Sequence, residues 1–276
     1  MLYLRGDDIA MKQAINPVEA RPAPYLRMLR AQVSPQVSGA FLDSMPERYR
    51  TSYEPDAVAE HAAIAARRGT APAHVELWRR QPDGIAILCV VADDRPGLLS
   101  LISASVVIQK LDVVSALAFT RTPPSGGFEA FDLLWLRRDA QNASPVGEAD
   151  AKRVGEVLCE MISGALPIET AMARARPPRS VPAGSSTTVT FDDAPGGQVM
   201  LTVETFDRPG LLLAITLALF RARVQISTTE AVTKGTRVVD RFAIVELDGS
   251  PVSKERRGAV QIEVLDAIHA IARGRA

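Results

Sequence analysis

The chain has 276 residues, of which 47% are hydrophobic and 23% charged, so it can bury a core and wholesale disorder is excluded. At roughly 100–200 residues per domain, this length predicts two domains, or one domain with an appendage. Lys plus Arg and Asp plus Glu each number 32, which gives a formal net charge of zero. General nucleic-acid binders usually carry a basic excess, because phosphate neutralisation supplies most of their affinity, so neither nucleic acid nor an anionic membrane is indicated as a partner.

The sequence shows no targeting signal and no cross-linking pattern. Its two cysteines, Cys89 and Cys159, cannot form a disulfide framework and match no metal-ligand spacing. The N-terminal stretch MLYLRGDDIAMK lacks the long apolar core of a signal peptide. The apolar runs at 85–92 and 211–220 are too short to span a bilayer. We therefore expect a reduced, cytoplasmic protein with no membrane segment, metal or cofactor.

The first 72 residues predict a helical N-terminal connector. The stretch from Pro22 to Phe41 is typical of a helix with interruptions. A clearer helix opens at Glu54-Pro55-Asp56, continues through AVAEHAAIAARR, and stops at Gly69. The region is too small for a domain of its own, so we expect it to pack against the module that follows or against a partner.

Two copies of one motif organise the rest of the chain. The hexapeptide DRPGLL occurs at 94–99 and again at 207–212. A strand-like apolar run precedes each copy, IAILCVVAD and QVMLTVETF, and a helix-length apolar stretch follows each. Next come a β-branched run, a turn, another strand and a second amphipathic helix, from about Glu148 to Leu166 and from about Lys254 to Ala272. The repeat predicts two copies of a single fold.

Each copy needs one more strand, and the sequence upstream supplies it. The alternating runs at 74–79 and 187–191 are both followed by turn-forming residues. The predicted fold class is therefore α+β: two circularly permuted ferredoxin-like modules, each β-β-α-β-β-α with its helices on one face. We place the first module at 73–172, a Pro- and Arg-rich linker at 173–184 and the second module at 185–276. The sheets of the modules are expected to join edge to edge, within the chain or between chains.

The DRPGLL copies are the candidate binding loops, because each lies between a strand and a helix. The Asp of each copy, Asp94 or Asp207, is predicted to be the helix N-cap, and the Pro suits the first turn. The Gly, Gly97 or Gly210, lets another group approach the backbone closely. Free N–H donors at a helix N-terminus suit a small carboxylate, and the nearby Asp could hold an ammonium group. The Arg of each copy is expected to lie in solvent.

A purely structural interpretation competes with this one. An isolated Asp-x-Pro-Gly before a helix is usually only a cap and a tight turn, worth about 1 kcal/mol. The same four residues at equivalent places in two modules favour a binding role, since capping alone would also accept Ser, Thr or Asn. Duplication with little divergence would leave the same signature, so both interpretations stay open.

The order strand, DRPGLL, helix, strand, hairpin, strand, helix resembles the ACT domain, a small regulatory module that binds amino acids. The tandem pair with its extra upstream strands resembles the C-terminal region of the bifunctional uridylyltransferase/uridylyl-removing enzymes of the PII signalling protein. The stretch FLDSMPERYRTSYEPDAVAEHAAIAARR is similar to the connector that precedes the ACT pair in that family. The resemblance covers roughly residues 40 to 273 and implies glutamine as the ligand.

The chain also departs from that family. Its enzymes carry a nucleotidyltransferase domain and a His-Asp phosphohydrolase domain, whereas this chain has no His-Asp dipeptide and only three histidines. Family members often place Asn just after the first helix of the module, where this chain has Asp112 and Gln225. We expect Asp112 to repel a ligand carboxylate, particularly in the first module.

Together these features predict a non-catalytic regulatory protein that senses an amino acid, with glutamine favoured, and signals nitrogen status. Its expected partners are that small molecule, a protein or separate catalytic subunit, and a second copy joined through the ACT sheet edges. The resemblance and the loop chemistry give these candidate ligand-binding residues: Asp94, Arg95, Pro96, Gly97, Leu98, Leu99, Asp112, Asp207, Arg208, Pro209, Gly210, Leu211, Leu212 and Gln225.

Three alternatives remain. The chain could be a truncated or split uridylyltransferase whose catalytic part is a separate protein. It could be a tandem-ACT regulator of another amino-acid pathway, similar to the glycine-cleavage regulators. It could also be a dimerisation module whose loops no longer bind anything.

Overall fold

The computed structural model describes residues 33–138, 144–170, 186–194 and 198–272, together with Met28 and Ala31. The predicted linker at 173–184 and most of the predicted helix before residue 33 lie outside these ranges. Within them the predicted order β-β-α-β-β-α is confirmed in both modules. The described chain is α+β, with one eight-stranded antiparallel sheet as its centre.

The elements follow one another in a simple order. From residue 33 onward, the described chain has these helices before the first module: α1 (Pro35–Ser44), α2 (Glu47–Arg50) and α3 (Pro55–Arg67). The first module contains β1 (Ala73–Arg80), β2 (Ala86–Asp93), α4 (Leu98–Ile108), β3 (Leu111–Arg121), β4 (Glu129–Arg138) and α5 (Glu148–Ile162). The second contains β5 (Thr188–Asp193), β6 (Val199–Phe206), α6 (Leu211–Arg221), β7 (Val224–Lys234), β8 (Arg237–Glu246) and α7 (Lys254–Ala272).

Helix α5 is shorter than the sequence predicts. It ends at Ile162 rather than near Leu166, because Gly164 adopts a left-handed backbone with φ +79°. The Gly164 N–H then donates to the Met161 carbonyl, and the Leu166 N–H donates to the Glu160 carbonyl. This glycine-dependent C-terminal geometry stops a helix whose apolar pattern continues beyond it.

The two modules share a single sheet, as expected for edge-to-edge joining within the chain. The strand order is β1-β2-β4-β3-β7-β8-β6-β5, so β3 and β7 are the central pair. They run antiparallel, with Ser115 opposite Val232 and Ala118 opposite Thr229. The Ser115 hydroxyl donates to the Ala231 carbonyl at 2.7 Å, and helices α4 and α6 pack against each other above this junction.

The other face of the first module's sheet carries the N-terminal helices. Their aromatic residues form a buried layer with the sheet, in which Tyr49, Trp78 and Phe131 are fully buried. The Tyr49 hydroxyl and His61 Nδ1 are 2.6 Å apart, and burial lowers the pKa of His61 well below its usual value. The connector therefore packs against the first module, which is one of the two arrangements predicted for it.

Among the described residues the extra layer covers only the first module, and strand composition agrees with that. Strand β2 is buried at seven consecutive positions from Ala86 to Ala92, as expected of a strand covered on both faces. Strand β6 instead alternates buried and accessible residues, with Thr202 and Glu204 on the accessible side. The connector reaches the second module at its border, where Arg48 pairs with Glu230 at 2.8 Å.

Candidate functional site

The N-caps of the two loop helices are glycines, so the prediction that Asp94 and Asp207 cap them is wrong. Gly97 and Gly210 occupy the N-cap positions with left-handed backbones, φ +80° and +76°, and neither helix has a side-chain cap. The Pro-Gly turn places each Asp three residues before the N-cap, too early to reach the first-turn N–H groups in the usual way. The aspartates are left to bind other partners.

The carboxylates of the two loops have different partners. Asp94 Oδ2 accepts a hydrogen bond from the Thr120 hydroxyl at 2.7 Å. Asp207 Oδ2 accepts one from Arg137 Nη2 at 3.0 Å, and Arg137 belongs to the other module. The second loop thus has a cation from outside its own repeat beside its carboxylate, whereas the contact of the first is a neutral hydroxyl.

The helix N-termini also differ in their unused donors. In the first loop the N–H groups of Ser100 and Leu101 both donate to the Gly97 carbonyl. In the second loop only Ala214 donates to the equivalent Gly210 carbonyl, at 3.0 Å. The backbone N–H groups of Leu212 and Leu213 consequently have no acceptor among the described residues. Two adjacent free donors at a helix N-terminus are a suitable receptor for a carboxylate.

The space in front of the two glycines is different as well. A Cβ atom on Gly97 would lie 2.7 Å from Cδ2 of Phe220, which comes from helix α6 of the other module. A Cβ on Gly210 would meet nothing within 4 Å. The close approach predicted for these glycines therefore exists at Gly97, where a phenyl ring makes it, and the backbone at Gly210 is open.

These differences predict different costs for adding a methyl group. Gly210→Ala should cost about 1–2 kcal/mol, the strain of a left-handed backbone at a residue with a side chain. Gly97→Ala should cost more, because the new Cβ also overlaps the Phe220 ring. Chemical denaturation of both variants measures the difference. In the Phe220→Ala background, Gly97→Ala should cost no more than Gly210→Ala, because the overlap with the ring is gone. If Gly97→Ala costs the same with and without Phe220, the contact between this ring and the new Cβ is not strained.

Each loop borders a small cavity at the module junction, and both modules line each cavity. The first cavity, of about 40 Å³, lies between the first loop and the α6–β7 connection. The second, of about 30 Å³, lies between the second loop and the start of β3. At about 10–15 Å³ per water molecule, either cavity holds only a few waters, so a larger ligand requires the junction to open.

Asp112 lies beside the loop of the second module, and not beside the loop of its own module as expected. The residues that follow each module's first helix face the loop of the other module, so Asp112 lines the second cavity and Gln225 the first. The antiparallel pairing of β3 with β7 causes this exchange, because it brings the start of each strand to its neighbour's loop. Repulsion of a carboxylate by Asp112 therefore concerns the second loop rather than the first.

The remaining predicted residues behave differently in the two loops. Arg208 is only 5% exposed, so the prediction that it lies in solvent is wrong. Its guanidinium donates to Thr205 Oγ1 at 2.7 Å and to the Ile268 carbonyl at 3.3 Å, which ties the loop to α7. Arg95 is partly buried and donates to the Ile162 carbonyl. Pro96 is exposed, while Pro209 and the loop leucines Leu98, Leu99, Leu211 and Leu212 line the cavities.

Two buried acids in the cavities were not among the predicted site residues. Asp132 and Asp240 occupy equivalent positions on β4 and β8, and each lines the cavity of its own loop. Burial, assisted by the nearby Asp94, raises the pKa of Asp132 well above its usual value. Burial, assisted by Asp207, raises the pKa of Asp240 to about 8. A charged residue repeated inside two apolar strands was the available sequence signal.

Two kinds of feature are absent from the described residues. In these ranges, no group of three or more His, Cys, Asp or Glu side chains is arranged to hold a metal ion. None of the described helices is both long and apolar enough to cross a bilayer.

The chain is similar to part of a set of larger bacterial enzymes. It is 28% identical over 198 residues to the bifunctional uridylyltransferase/uridylyl-removing enzyme of Rhodospirillum rubrum, covering 70% of this chain and 20% of that enzyme. The corresponding enzyme of Gluconobacter oxydans is 29% identical over 240 residues, covering 82% of this chain and 24% of the enzyme. That of Phenylobacterium zucineum is 26% identical over 270 residues, covering 96% and 28%.

The chain thus spans 20–28% of the length of these relatives. No family model matches the chain. Among solved structures, aspartate kinase from Synechocystis aligns with 78% of this chain and 32% of its own, at 15% identity and a TM-score of 0.37. The resemblance found in the sequence is confirmed at the level of homology: the relatives of this chain are bifunctional uridylyltransferase/uridylyl-removing enzymes.

Proposed function

We propose that this chain is a non-catalytic regulatory protein that binds an α-amino acid, with glutamine favoured, at the junction of its two ACT-like modules. The observation that carries the proposal is the repeated cavity. Each one places backbone at a helix N-terminus, which suits a carboxylate, beside aspartates that suit an ammonium group. These are the two charged groups that every free α-amino acid carries.

Binding at this place couples the ligand to the arrangement of the modules. The cavities are smaller than an amino acid, so the ligand must favour a more open junction between β3 and β7 and between α4 and α6. A ligand shifts such an equilibrium only by its difference in affinity for the two arrangements. An output through the module junction requires no chemistry in this chain, in keeping with its lack of a His-Asp dipeptide.

Glutamine is favoured because the relatives are uridylyltransferase/uridylyl-removing enzymes, for which the resemblance implies a nitrogen-linked signal. The same relatives support a second candidate, a regulatory piece that works with a catalytic chain in trans. Co-purification of the tagged chain with a uridylyltransferase from its own cell would favour that candidate. A tandem-ACT regulator of another pathway would instead bind a different amino acid.

The test is titration calorimetry of the whole chain against the twenty amino acids. We expect saturable binding of glutamine, and expect Gly210→Val to abolish it, because the new side chain would stand at the open N-terminus of α6. Gly249→Val is the matched control: Gly249 also has a positive φ of +83° and open space around it, but lies in a turn that lines neither described cavity.

Three results are distinguishable in this experiment. Binding of an amino acid other than glutamine would retain the sensor and remove its nitrogen-signalling link. No binding of any amino acid would leave a structural module. Equal binding by the Gly210→Val and Gly249→Val variants would remove the loop from the site.

A further inference from the structure

The second cavity contains a buried acid with no partner for one of its oxygens. Asp240 is 2% exposed, and its Oδ1 forms no hydrogen bond with any described residue. A buried polar atom without a partner costs about 1–3 kcal/mol, so such atoms are rare in native structures and call for an explanation. A ligand group that completes the site is one such explanation.

The same cavity offers the complementary receptor. Its wall includes Leu212 and Leu213, whose N–H groups have no acceptor among the described residues. A molecule with a carboxylate and a cationic donor would satisfy both at once, since the N–H groups require an acceptor and an ionised Asp240 requires a donor. An α-amino acid carries both of these groups, a carboxylate and an ammonium, on neighbouring atoms.

The first cavity is less complete as a receptor. Phe220 lies over the backbone of Gly97, and the N–H of Ser100 is already used by the Gly97 carbonyl. The first cavity therefore has fewer unused groups to offer a ligand.

We infer that the amino acid proposed above binds in the second cavity and that the Asp240 carboxylate receives its ammonium group. The inference rests on the proposed function, and it adds the occupied module and a residue that the sequence did not select. Asp240 is mainly a carboxylic acid in the empty protein at neutral pH, because burial and the neighbouring Asp207 raise its pKa to about 8. Binding therefore transfers the Asp240 proton to solvent and leaves a carboxylate paired with the ligand's ammonium.

The surrounding charges are compatible with that step. The loop presents Asp207, β3 presents Asp112, and Arg137 from β4 already pairs with Asp207. Arg208 is committed to Thr205 and to the Ile268 carbonyl. The faces of α4 and α6 that line the cavity are uncharged, as are the cavity-lining residues of β7. Two carboxylates, Asp207 and Asp112, and two guanidiniums, Arg137 and Arg208, thus surround the cavity, so the negative charge that receives the ammonium is that of the ionised Asp240. The repulsion expected between Asp112 and the ligand carboxylate opposes binding here, and the unused N–H groups of Leu212 and Leu213 must offset it.

The experiment is calorimetry of the whole protein with glutamine, or with the amino acid that the panel identifies, at pH 6.0–7.5 in two buffers of different ionisation enthalpy. Because binding releases a proton, affinity should rise as pH rises towards the folded pKa, by about tenfold per pH unit. Roughly 0.9 proton should be released at pH 7, since a group with a pKa of about 8 is mostly protonated there.

Asp240→Asn should abolish both the pH slope and the proton release, and should weaken binding at pH 7.5 by about 10- to 100-fold. Asn resembles the neutral acid in shape, so the variant is expected to fold. Asp132→Asn is the matched control and should keep the wild-type slope. For glutamine, 4-carbamoylbutanoate, the analogue with hydrogen in place of the amino group, should bind without proton release. Ammonium chloride, with no carboxylate, should not compete at the same concentration.

The outcomes separate this inference from the proposed function. If no amino acid binds the wild-type protein, both are overturned. If an amino acid binds without a pH slope, or if Asp132→Asn rather than Asp240→Asn removes the slope, the sensor stands and the role of Asp240 is wrong. If ammonium chloride alone releases the proton and competes, the cavity is a site for a simple cation.

Discussion

Asp240→Asn should make the folded protein more stable, and the gain should grow as pH rises. Burial raises the pKa of Asp240 to about 8, against about 3.9 for an Asp in the unfolded chain. Between these values the folded state holds a proton that the unfolded state has lost, so wild-type stability falls with rising pH, by about 1.4 kcal/mol per unit. Asn carries no such proton, so the gain should approach about 4 kcal/mol at pH 7 and vanish near pH 4.

Urea denaturation of both proteins at pH 5, 6 and 7 measures the gain directly. His61 has the opposite effect on the pH dependence of stability. Burial lowers its pKa, so the unfolded chain takes up a proton at His61 before the folded protein does, and the free energy of unfolding falls as pH drops below about 6.5. This effect is present in both proteins and cancels in their difference. The exposed Asp43 provides the control: as a surface substitution, Asp43→Asn should change stability by less than about 0.5 kcal/mol. A pH-independent difference for Asp240→Asn would mean that Asp240 is ionised in the folded protein.

Phe131→Ala should destabilise the protein by about 3–5 kcal/mol. Phe131 is fully buried, and its ring centroid lies 5.3 Å from that of Phe41 and 5.1 Å from that of His61. Removing the ring leaves a cavity between the sheet and the connector, in the layer that attaches α1 and α3 to the first module. Thermal and urea unfolding both measure the loss.

The repeat supplies the matched control for this variant. Val239 occupies the equivalent position on β8, where no helix among the described residues covers the sheet face and the side chain is only partly buried. Val239→Ala should therefore cost about 1 kcal/mol or less. Similar losses for the two variants would show that the connector does not contribute a core of its own.

The repeat made the element order predictable from the sequence. The duplicated DRPGLL loops and the turn-forming residues beside them mark where strands and helices begin, and the observed bounds of β2, β6 and α7 agree closely with them. For the packing of the connector the sequence predicts two alternatives, the first module or a partner. The uninterrupted apolar run of β2 is typical of a strand covered on both faces. The same pattern also occurs in buried helices, so it does not by itself decide where the connector packs.

The composition of the candidate site could not be predicted in the same way. Assigning Asp112 and Gln225 to the correct loops requires knowing that β3 pairs with β7, a contact between residues more than a hundred positions apart. The N-cap prediction failed because Asp is a good cap in general, whereas here the Pro-Gly turn moves the helix start past Asp94. For Asp240 the sequence shows an acid repeated at equivalent places in two apolar strands, but it does not show that the side chain is buried beside the second loop.

The exchange of lining residues between the modules means that neither copy of the repeat forms its candidate site alone. Gln225 of the second copy faces the loop of the first, and Asp112 of the first faces the loop of the second. A substitution inherited in one copy therefore alters the surroundings of the other copy's loop, and the two halves cannot diverge independently. Two present differences between the loops arise in this way. Arg137 of the first module lies beside Asp207 of the second, and Phe220 of the second module lies over Gly97 of the first.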